Sequence, residues 1–567
     1  MNGVARVWAD NPVLIRELRT RMRGSRAYWA LAGYLVVLSS VLFLSYLGWW
    51  TSARVSGGFS EVGSLGVWFY QMLIGVQAFL VVFIAPAVTA ASLTVEREQR
   101  TMDLLAVTPI PRVHIVMGKL LSAAGFLMLL LSASLPLVSL CFLLGGVDAG
   151  MVARDYLNLL LYGLDLAALA LAWSSVARNT SAAIVYTYAT LLAPLLVLGL
   201  ILWLASTAMS GPSGGSTVVY TSVFVPLSTA LPTLLGYLSG LAGTFGPPGA
   251  LPIGQSLTFY GMAVPWWVLA IAMHGLVVAT LAAVAAARLE LYPERKACLL
   301  RSLVSALLWY VSALFFGLGG TGGTVAGTLA PGLRALPLMF FFPLGALLFF
   351  APMFATGEIP LVRSRNLKRY FSEGWRWAGL KAGNVSSALP YLLLLLAGEL
   401  LLFVVSGAFM ASGATASRSL YGAASVGLQT TAACAAAIFG IWCIGILLSA
   451  LVKNRWTSML LLYGVTGLMA ALPFAWQVKA MYTSSTPSSS PAAVLYYLNP
   501  LVVLLDAQTK GRLLQQLNLI PGNPPSWICC VLGWTVISIF ALGFLPLVIE
   551  RAGVATLRRG GKPPEPA

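Results

Sequence analysis

The chain has 567 residues, 59% of them hydrophobic and only 9% charged, with a mean hydropathy of +0.87. Ordinary globular domains carry roughly a quarter charged residues; a soluble protein of this length could bury such a core but could not cover its surface with so few charges. The net charge of +17 does not indicate nucleic-acid binding, because the basic residues stand at the ends of apolar runs and no aromatic-interleaved basic patch occurs.

In chain order, the first element is a predicted helix over Asn11–Arg26. Leu14, Leu18 and Met22 share one face, Arg16, Arg19 and Arg23 the other, and Glu17 stands four residues before Arg21. Such a helix lies along the cytoplasmic leaflet. The apolar run after it has full span length and no small-residue cleavage site, so no cleavable signal peptide is expected. Runs of about 20 apolar residues or more can cross a hydrocarbon core of about 30 Å. Twelve are expected: Ala27–Trp50, Val67–Leu93, Leu120–Gly146, Tyr156–Val176, Ser181–Ala205, Ala263–Ala287, Ser302–Gly319, Leu336–Phe354, Val385–Met410, Ala432–Val452, Trp456–Trp476 and Trp527–Ile549. Val218–Ala242, apolar but interrupted by Pro226 and Pro232, reads as a re-entrant or interfacial segment rather than a span.

With twelve spans, 27 of the 34 lysines and arginines fall on the side of the two termini. That bias makes both termini cytoplasmic. Between the second and third spans, Thr94–Lys119 forms a cytoplasmic loop. Its dense charges give way to Met102, Leu104, Leu105 and Val107 and then to Thr108-Pro109, a pattern for a short amphipathic helix ended by proline. Such an element can dock on a soluble partner.

The chain reads as two six-helix halves, 1–290 and a more divergent 291–567. In each, a long Gly/Ser/Pro-rich external segment precedes the last span (Ser206–Met262 and Gln477–Ser526). The turn Ser174-Ser175-Val176-Ala177-Arg178-Asn179 matches Ser449-Ala450-Leu451-Val452-Lys453-Asn454 at an offset of 275, and Tyr188 and Tyr463 share that offset. Glu96 to Lys119 and Glu358 to Lys381 are equally spaced at 23 residues. Parallel duplication of an even number of spans gives halves of like topology.

Asp165 and Glu399 lie mid-span, where a carboxylate must face protein or a water-filled cavity. They read as polar contacts lining a cavity, as a proton relay, or as buried hydrogen bonds to neighbouring Ser, Thr or Tyr. His114 and His274 have no metal-ligand neighbours, and the six cysteines suit neither zinc nor a disulfide framework. No catalytic arrangement of Ser, His, Asp or Cys is seen.

The loop Glu96-Arg97-Glu98-Gln99-Arg100-Thr101-Met102-Asp103-Leu104-Leu105-Ala106-Val107-Thr108-Pro109, continuing to Gly118-Lys119-Leu120, resembles that of the ABC-2 type permeases, the membrane subunits of ATP-binding-cassette exporters. The opening Asn11-Pro12-Val13-Leu14-Ile15-Arg16-Glu17-Leu18 is similar to the start of bacterial members. Leu498-Asn499-Pro500-Leu501 resembles their Asn-Pro element before the last span. Arg100 stands where that family usually has glycine, and the second-half loop Gly357–Asn384 lacks the EREQ pattern.

The resemblance implies an all-α polytopic permease in a bacterial inner membrane. In it Glu96, Arg97, Glu98, Gln99, Thr101, Asp103, Leu104, Leu105 and Pro109 form the element that fits a cleft on the ATPase. The chain has no G-x-x-x-x-G-K-[ST] phosphate loop. ATP and Mg would be bound by a separate ATPase subunit, in two copies, and this chain would need no cofactor and would not be an enzyme. Two fused halves can form the whole membrane unit, while the altered second loop leaves room for a dimer of chains. The export substrate would be amphiphilic, hydrophobic or polymeric. An ion-coupled secondary transporter using Asp165 and Glu399, and a non-transporting membrane scaffold, are the alternatives.

Overall fold

The computed structural model describes residues 12–22, 25–56, 62–101, 112–191, 256–259, 262–289, 294–319, 388–410, 416–452, 457–467 and 525–558, with a few positions at 344–352 and 497–503. They are nearly all helical. The helices are α1 (Pro12–Met22), α2 (Ser25–Ser56), α3 (Val62–Glu98), α4 (Arg112–Leu144), α5 (Ala149–Val176), α6 (Trp266–Leu289), α7 (Glu294–Gly319), α8 (Ala388–Met410), α9 (Ala416–Leu451) and α10 (Ser526–Arg558). A further helix begins at 180 and is described to 191. Hydrocarbon offers the backbone no hydrogen bonds, so every amide and carbonyl must be satisfied within the segment, and the helix does this.

Among the described residues, eight helices are long and apolar enough to cross a membrane. They coincide with eight of the twelve expected spans. Of the other four, Ser181–Ala205 is described only to 191, and Leu336–Phe354 only at scattered positions. Ser302–Gly319 and Trp456–Trp476 contribute the shorter apolar helices Leu299–Leu314 and Thr457–Gly467. The segments expected to be re-entrant or external, Val218–Ala242 and Gln477–Ser526, lie almost wholly outside the described residues.

Three boundaries differ from expectation. α3 and α4 run well past the apolar runs into charged sequence, so the expected loop Thr94–Lys119 shrinks to the residues between Glu98 and Arg112. α5 starts at Ala149 because Asp148 caps it, accepting from the Gly150 amide at 3.0 Å. A two-stranded hairpin, β1 (Ser256–Phe259) and β2 (Met262–Pro265), stands before α6, at the end of the expected external segment Ser206–Met262 and the start of the expected sixth span.

The chain divides into two compact units. The first comprises Met1–Trp203, Leu231–Leu257 and Val264–Leu307; the second comprises Leu204–Ala230, Thr258–Ala263 and Leu308–Ala567. In the first, Tyr34 and Leu38 of α2 pack with Phe69, Tyr70, Leu73 and Ile74 of α3, Leu130 and Leu131 of α4, and Leu159 of α5. Further along, Leu93, Val116 and Leu120 meet an alanine surface from α5 and α6, made of Ala167, Ala168, Ala282, Ala285 and Ala286. Small residues let helix backbones approach where lipid supplies no hydrophobic drive.

In the second unit the core is Leu392, Leu395 and Phe403 of α8, Ala437, Ile438 and Trp442 of α9, and Trp534 and Leu545 of α10. Gly440 of α9 lies under the Trp534 ring, where a Cβ has no room. Trp534 also fixes the Asn-Pro element: its indole N–H donates to the Leu498 carbonyl at 2.7 Å.

The tightest backbone approach in the first unit is at Gly66, near the start of α3. A Cβ there would fall on the Gly145 carbonyl and lie 2.8 Å from that of Cys141, both main-chain atoms at the end of α4. Gly66→Ala is expected to destabilise the protein by about 1–3 kcal/mol, the typical cost of overpacking. Gly75→Ala, which meets nothing within 4 Å, is expected to be neutral or slightly stabilising. Thermal denaturation of the detergent-solubilised chain measures both.

Candidate functional site

The cytoplasmic-loop motif singled out in the sequence lies at the end of a span. Glu96, Arg97 and Glu98 form the last turn of α3, and each contacts a different part of the first unit.

Glu96 faces Lys119, two turns into α4. The Lys119 ammonium donates to Glu96 Oε1 at 2.9 Å, to Glu17 Oε1 of α1 at 2.9 Å and to the Ser92 carbonyl at 2.8 Å. An ammonium has three hydrogens, and all three are used. The lysine side chain is 1% exposed. A charge buried this deeply is tolerated only when paired and fully hydrogen-bonded. α1 therefore rests on α4, with Leu18 packed over Gly125.

Arg97 turns the opposite way. Its guanidinium donates through one nitrogen to the Ala177 carbonyl and through the other to the Ser175 carbonyl at 2.9 Å. These are carbonyls at the C-terminus of α5, where the last turn lacks intrahelical donors and the helix dipole is negative. Glu98 Oε1 accepts from the Thr180 amide at 2.8 Å, at the positive N-terminus of the next helix. Asn179 is that helix's N-cap, its side-chain oxygen accepting from Ala182 N–H at 3.1 Å. Ser174 Oγ accepts from the Leu93 and Thr94 amides at 3.2 Å, and the Thr94 and Thr180 hydroxyls meet at 2.8 Å.

So the two motifs read separately in the sequence, EREQ and Ser-Ser-Val-Ala-Arg-Asn, bind each other. The arginine neutralises one helix end and the glutamate the next.

α3 stops through a Schellman motif. Thr101 N–H donates to the Glu96 carbonyl at 2.9 Å, and Arg100 N–H to that of Arg97 at 3.1 Å. Arg100 holds φ +57°, in the left-handed region. This is why glycine is the ordinary residue at this place: only glycine adopts that conformation without a Cβ clash. The expected amphipathic helix over Glu96–Pro109 is thus interrupted at Arg100. Asp103, Leu104, Leu105 and Pro109 lie outside the described residues, as does Arg23; Met22 closes α1, with only its backbone described.

The two mid-span carboxylates stand in separate units. Asp165 of α5 meets His274 of α6, Oδ2 to Nδ1 at 2.5 Å. Glu399 of α8 accepts from the Ser312 hydroxyl of α7 at 2.8 Å. The serine contact is of the kind expected for a buried carboxylate. The histidine partner was missed, because nothing in the sequence relates positions 109 residues apart. Lys119 was read as the end of a loop, as one mark of the internal repeat and as part of the permease-like motif; its pairing with Glu96 was missed, because it depends on α3 and α4 lying side by side. Among the described residues no group of His, Cys, Asp or Glu could hold a metal ion.

Among the described residues, eight helices long and apolar enough to cross a membrane, with charged side chains gathered at their ends, are the architecture of a multi-pass membrane protein. Residues 12–284 match the family described as ABC-2 family transporter protein. No curated protein and no solved structure matches the chain. The matched stretch runs from α1 into α6, and so contains every residue of the Glu17, Glu96, Arg97, Glu98 and Lys119 array.

Two sets of substitutions test this geometry. Lys119→Met removes the buried cation that two carboxylates share and is expected to destabilise by about 3–5 kcal/mol. Combining it with Glu17→Gln and Glu96→Gln is expected to recover much of that loss. Arg100→Gly relieves the left-handed strain and is expected to stabilise by about 0.5–1 kcal/mol, the gain being reduced by glycine's greater unfolded-state freedom. Denaturation midpoints of the solubilised variants measure both effects.

Proposed function

We propose that this chain is the membrane-spanning subunit of an ABC exporter, moving an amphiphilic, hydrophobic or polymeric substrate with ATP hydrolysed by a separate subunit. The observation that carries the reading is the family match over residues 12–284. Permeases of this family work with an ATPase. On this reading ATP and Mg bind to that partner, present in two copies, and this chain has no catalytic role of its own. The chain crosses a bacterial inner membrane twelve times with both termini cytoplasmic, as its Lys/Arg distribution favours. Its halves, 1–290 and 291–567, flank the path, alone or as a dimer of chains.

The segment after Arg100 is the part offered to the ATPase, with Asp103, Leu104, Leu105 and Pro109 as its contact residues. The Glu96, Arg97 and Glu98 contacts support this by fixing where that segment leaves the membrane. The α1 residues Leu14, Arg16, Glu17, Leu18, Arg19, Met22 and Arg23 hold the leaflet surface beside it.

A second reading is favoured by one observation, the buried Asp165–His274 pair, which could carry a proton in an ion-coupled transporter. Purification from native membranes distinguishes the two. An exporter subunit is expected to retain an ATPase, to raise its hydrolysis rate, and to lose it on Leu104→Asp/Leu105→Asp with no change in thermal midpoint. Absence of any associated ATPase, with transport that follows an ion gradient without ATP, overturns the proposal.

A further inference from the structure

In the second unit α7 and α8 touch along one seam, where three contacts follow one another. Trp309 of α7 lies on Gly398 of α8, where a Cβ has no room, and its indole N–H donates to the Leu395 carbonyl at 3.3 Å. About one turn on, Ser312 meets Glu399. One turn further, the Phe316 and Phe403 rings meet edge to face, their centroids 6.1 Å apart. Aromatic contacts thus close both ends of the polar pair, and Ser312 and Glu399 are 1% and 0% exposed.

The hydrogens of this pair can be counted. Ser312 Oγ lies 2.9 Å from the Leu308 carbonyl and 2.8 Å from Glu399 Oε1. A hydroxyl has one proton, while a carbonyl and an ionised carboxylate only accept. If Glu399 is ionised and accepts the Ser312 proton, the Leu308 contact sets two oxygens together with no hydrogen between them. With a proton on Glu399 Oε1 both contacts are bonds: the acid donates to Ser312, and Ser312 donates to Leu308. The neighbouring hydroxyls follow the same rule. Ser305, Ser406 and Thr430 of α7, α8 and α9 each donate to the carbonyl four residues back, at 2.8, 2.6 and 2.9 Å.

Charge leads to the same assignment. Among the described residues Ser312 is the polar partner of Glu399, and no cation pairs with it. α8 carries no other charged residue. On α7 the nearest charge is Arg301, eleven residues before Ser312 and about 16 Å along the helix. On α9 it is Arg418, nine residues before Gly427, which meets Phe403. The nearer titratable groups on these helices, Tyr310, Tyr391 and Cys434, bring no positive charge. A carboxylate buried without a cation costs far more than one neutral hydrogen bond returns, and such a group keeps its proton instead.

We propose that Glu399 is a proton-binding site, occupied at neutral pH, so that the second unit contains a neutral carboxylic acid donating to Ser312. The proton is held in place. The next contacts along the seam are Trp309 on Gly398 and Phe316 on Phe403, and neither offers an acceptor side chain to pass it to. Glu399 differs in this from Asp165, which has a histidine beside it. Ionisation of Glu399 would put a charge into the seam and take the Ser312 proton from Leu308, loosening α7 from α8.

Infrared spectroscopy of the full chain, purified in a detergent without ester carbonyls, tests this. A protonated carboxyl has a C=O band apart from the amide and carboxylate bands. At neutral pH such a band is expected in the unaltered protein, to shift on labelling with carbon-13 glutamate, and to disappear in Glu399→Gln while surviving in Asp165→Asn. Glutamine keeps a donor toward Ser312, so Glu399→Gln is expected to melt no lower than the unaltered protein. In Ser312→Ala the band is expected to remain but to move to higher frequency, because the acid has lost its acceptor. A glutamate-derived acid band absent from the unaltered protein at neutral pH overturns the proposal without any variant having to fold. So does a band that persists in Glu399→Gln, or one whose frequency is the same in Ser312→Ala.

Discussion

The end of the first unit where α1, α3 and α4 meet depends on one buried ammonium. Lys119 is 1% exposed and has three hydrogens and three acceptors: a carboxylate from α1, a carboxylate from α3 and a carbonyl from α3. Removing a lysine from water costs several kcal/mol after relaxation, and the charge is tolerable only where its partners are all in place. The three helices are therefore positioned jointly. α1 cannot drift on the leaflet, nor α3 rotate, without stranding that charge. Arg97 and Glu98 extend the same constraint to the turn between α5 and the helix from 180, each acting on the helix end whose dipole it complements.

Within the membrane, the protein satisfies polar side chains locally. Serine and threonine hydroxyls mostly donate to carbonyls three or four residues earlier on their own helix, as Thr89, Thr187, Ser305 and Thr430 do. That arrangement asks nothing of a neighbouring helix. Association is then left to close contact at small residues: Gly66 against the end of α4, the alanines of α5 and α6, and Gly440 under Trp534. Asp165 and Glu399 are among the exceptions, each bonded to a side chain of another helix, as Tyr70 is to Asp155 and Tyr156 to Ser134.

The sequence was most legible where a single physical requirement repeats along the chain. Span-length apolar runs predict membrane helices because hydrocarbon admits almost nothing else, and eight expected spans are present as long helices. Helix ends were less legible. α3 continues to Glu98 because Glu96, Arg97 and Glu98 are all satisfied by tertiary partners, which hydropathy does not register. Asp165 was recognised as needing a partner, but which one depends on the packing of α5 on α6. The sequence placed the EREQ element and the Ser-Ser-Val-Ala-Arg-Asn turn as separate motifs; their joining appears only when α3 and α5 lie side by side. The spacing of Glu96 and Lys119 was visible as a mark of the repeat, but not the ion pair the two residues form.

The arrangement at the end of α3 has a mechanical consequence for the proposed coupling to an ATPase. The residues after Thr101 leave a helix end that is stopped by a Schellman motif and gripped on both flanks. A push on a freely frayed end would dissipate in local bending. Here bending must break either the Lys119 cluster or the Arg97 and Glu98 caps, and the Lys119 and Arg97 bonds are charged and shielded from bulk water. The easier response is rigid displacement of α1, α3, α4 and the α5 turn together. The same few charges that end α3 thus tie α1, α3, α4 and the α5 turn into one hydrogen-bonded array.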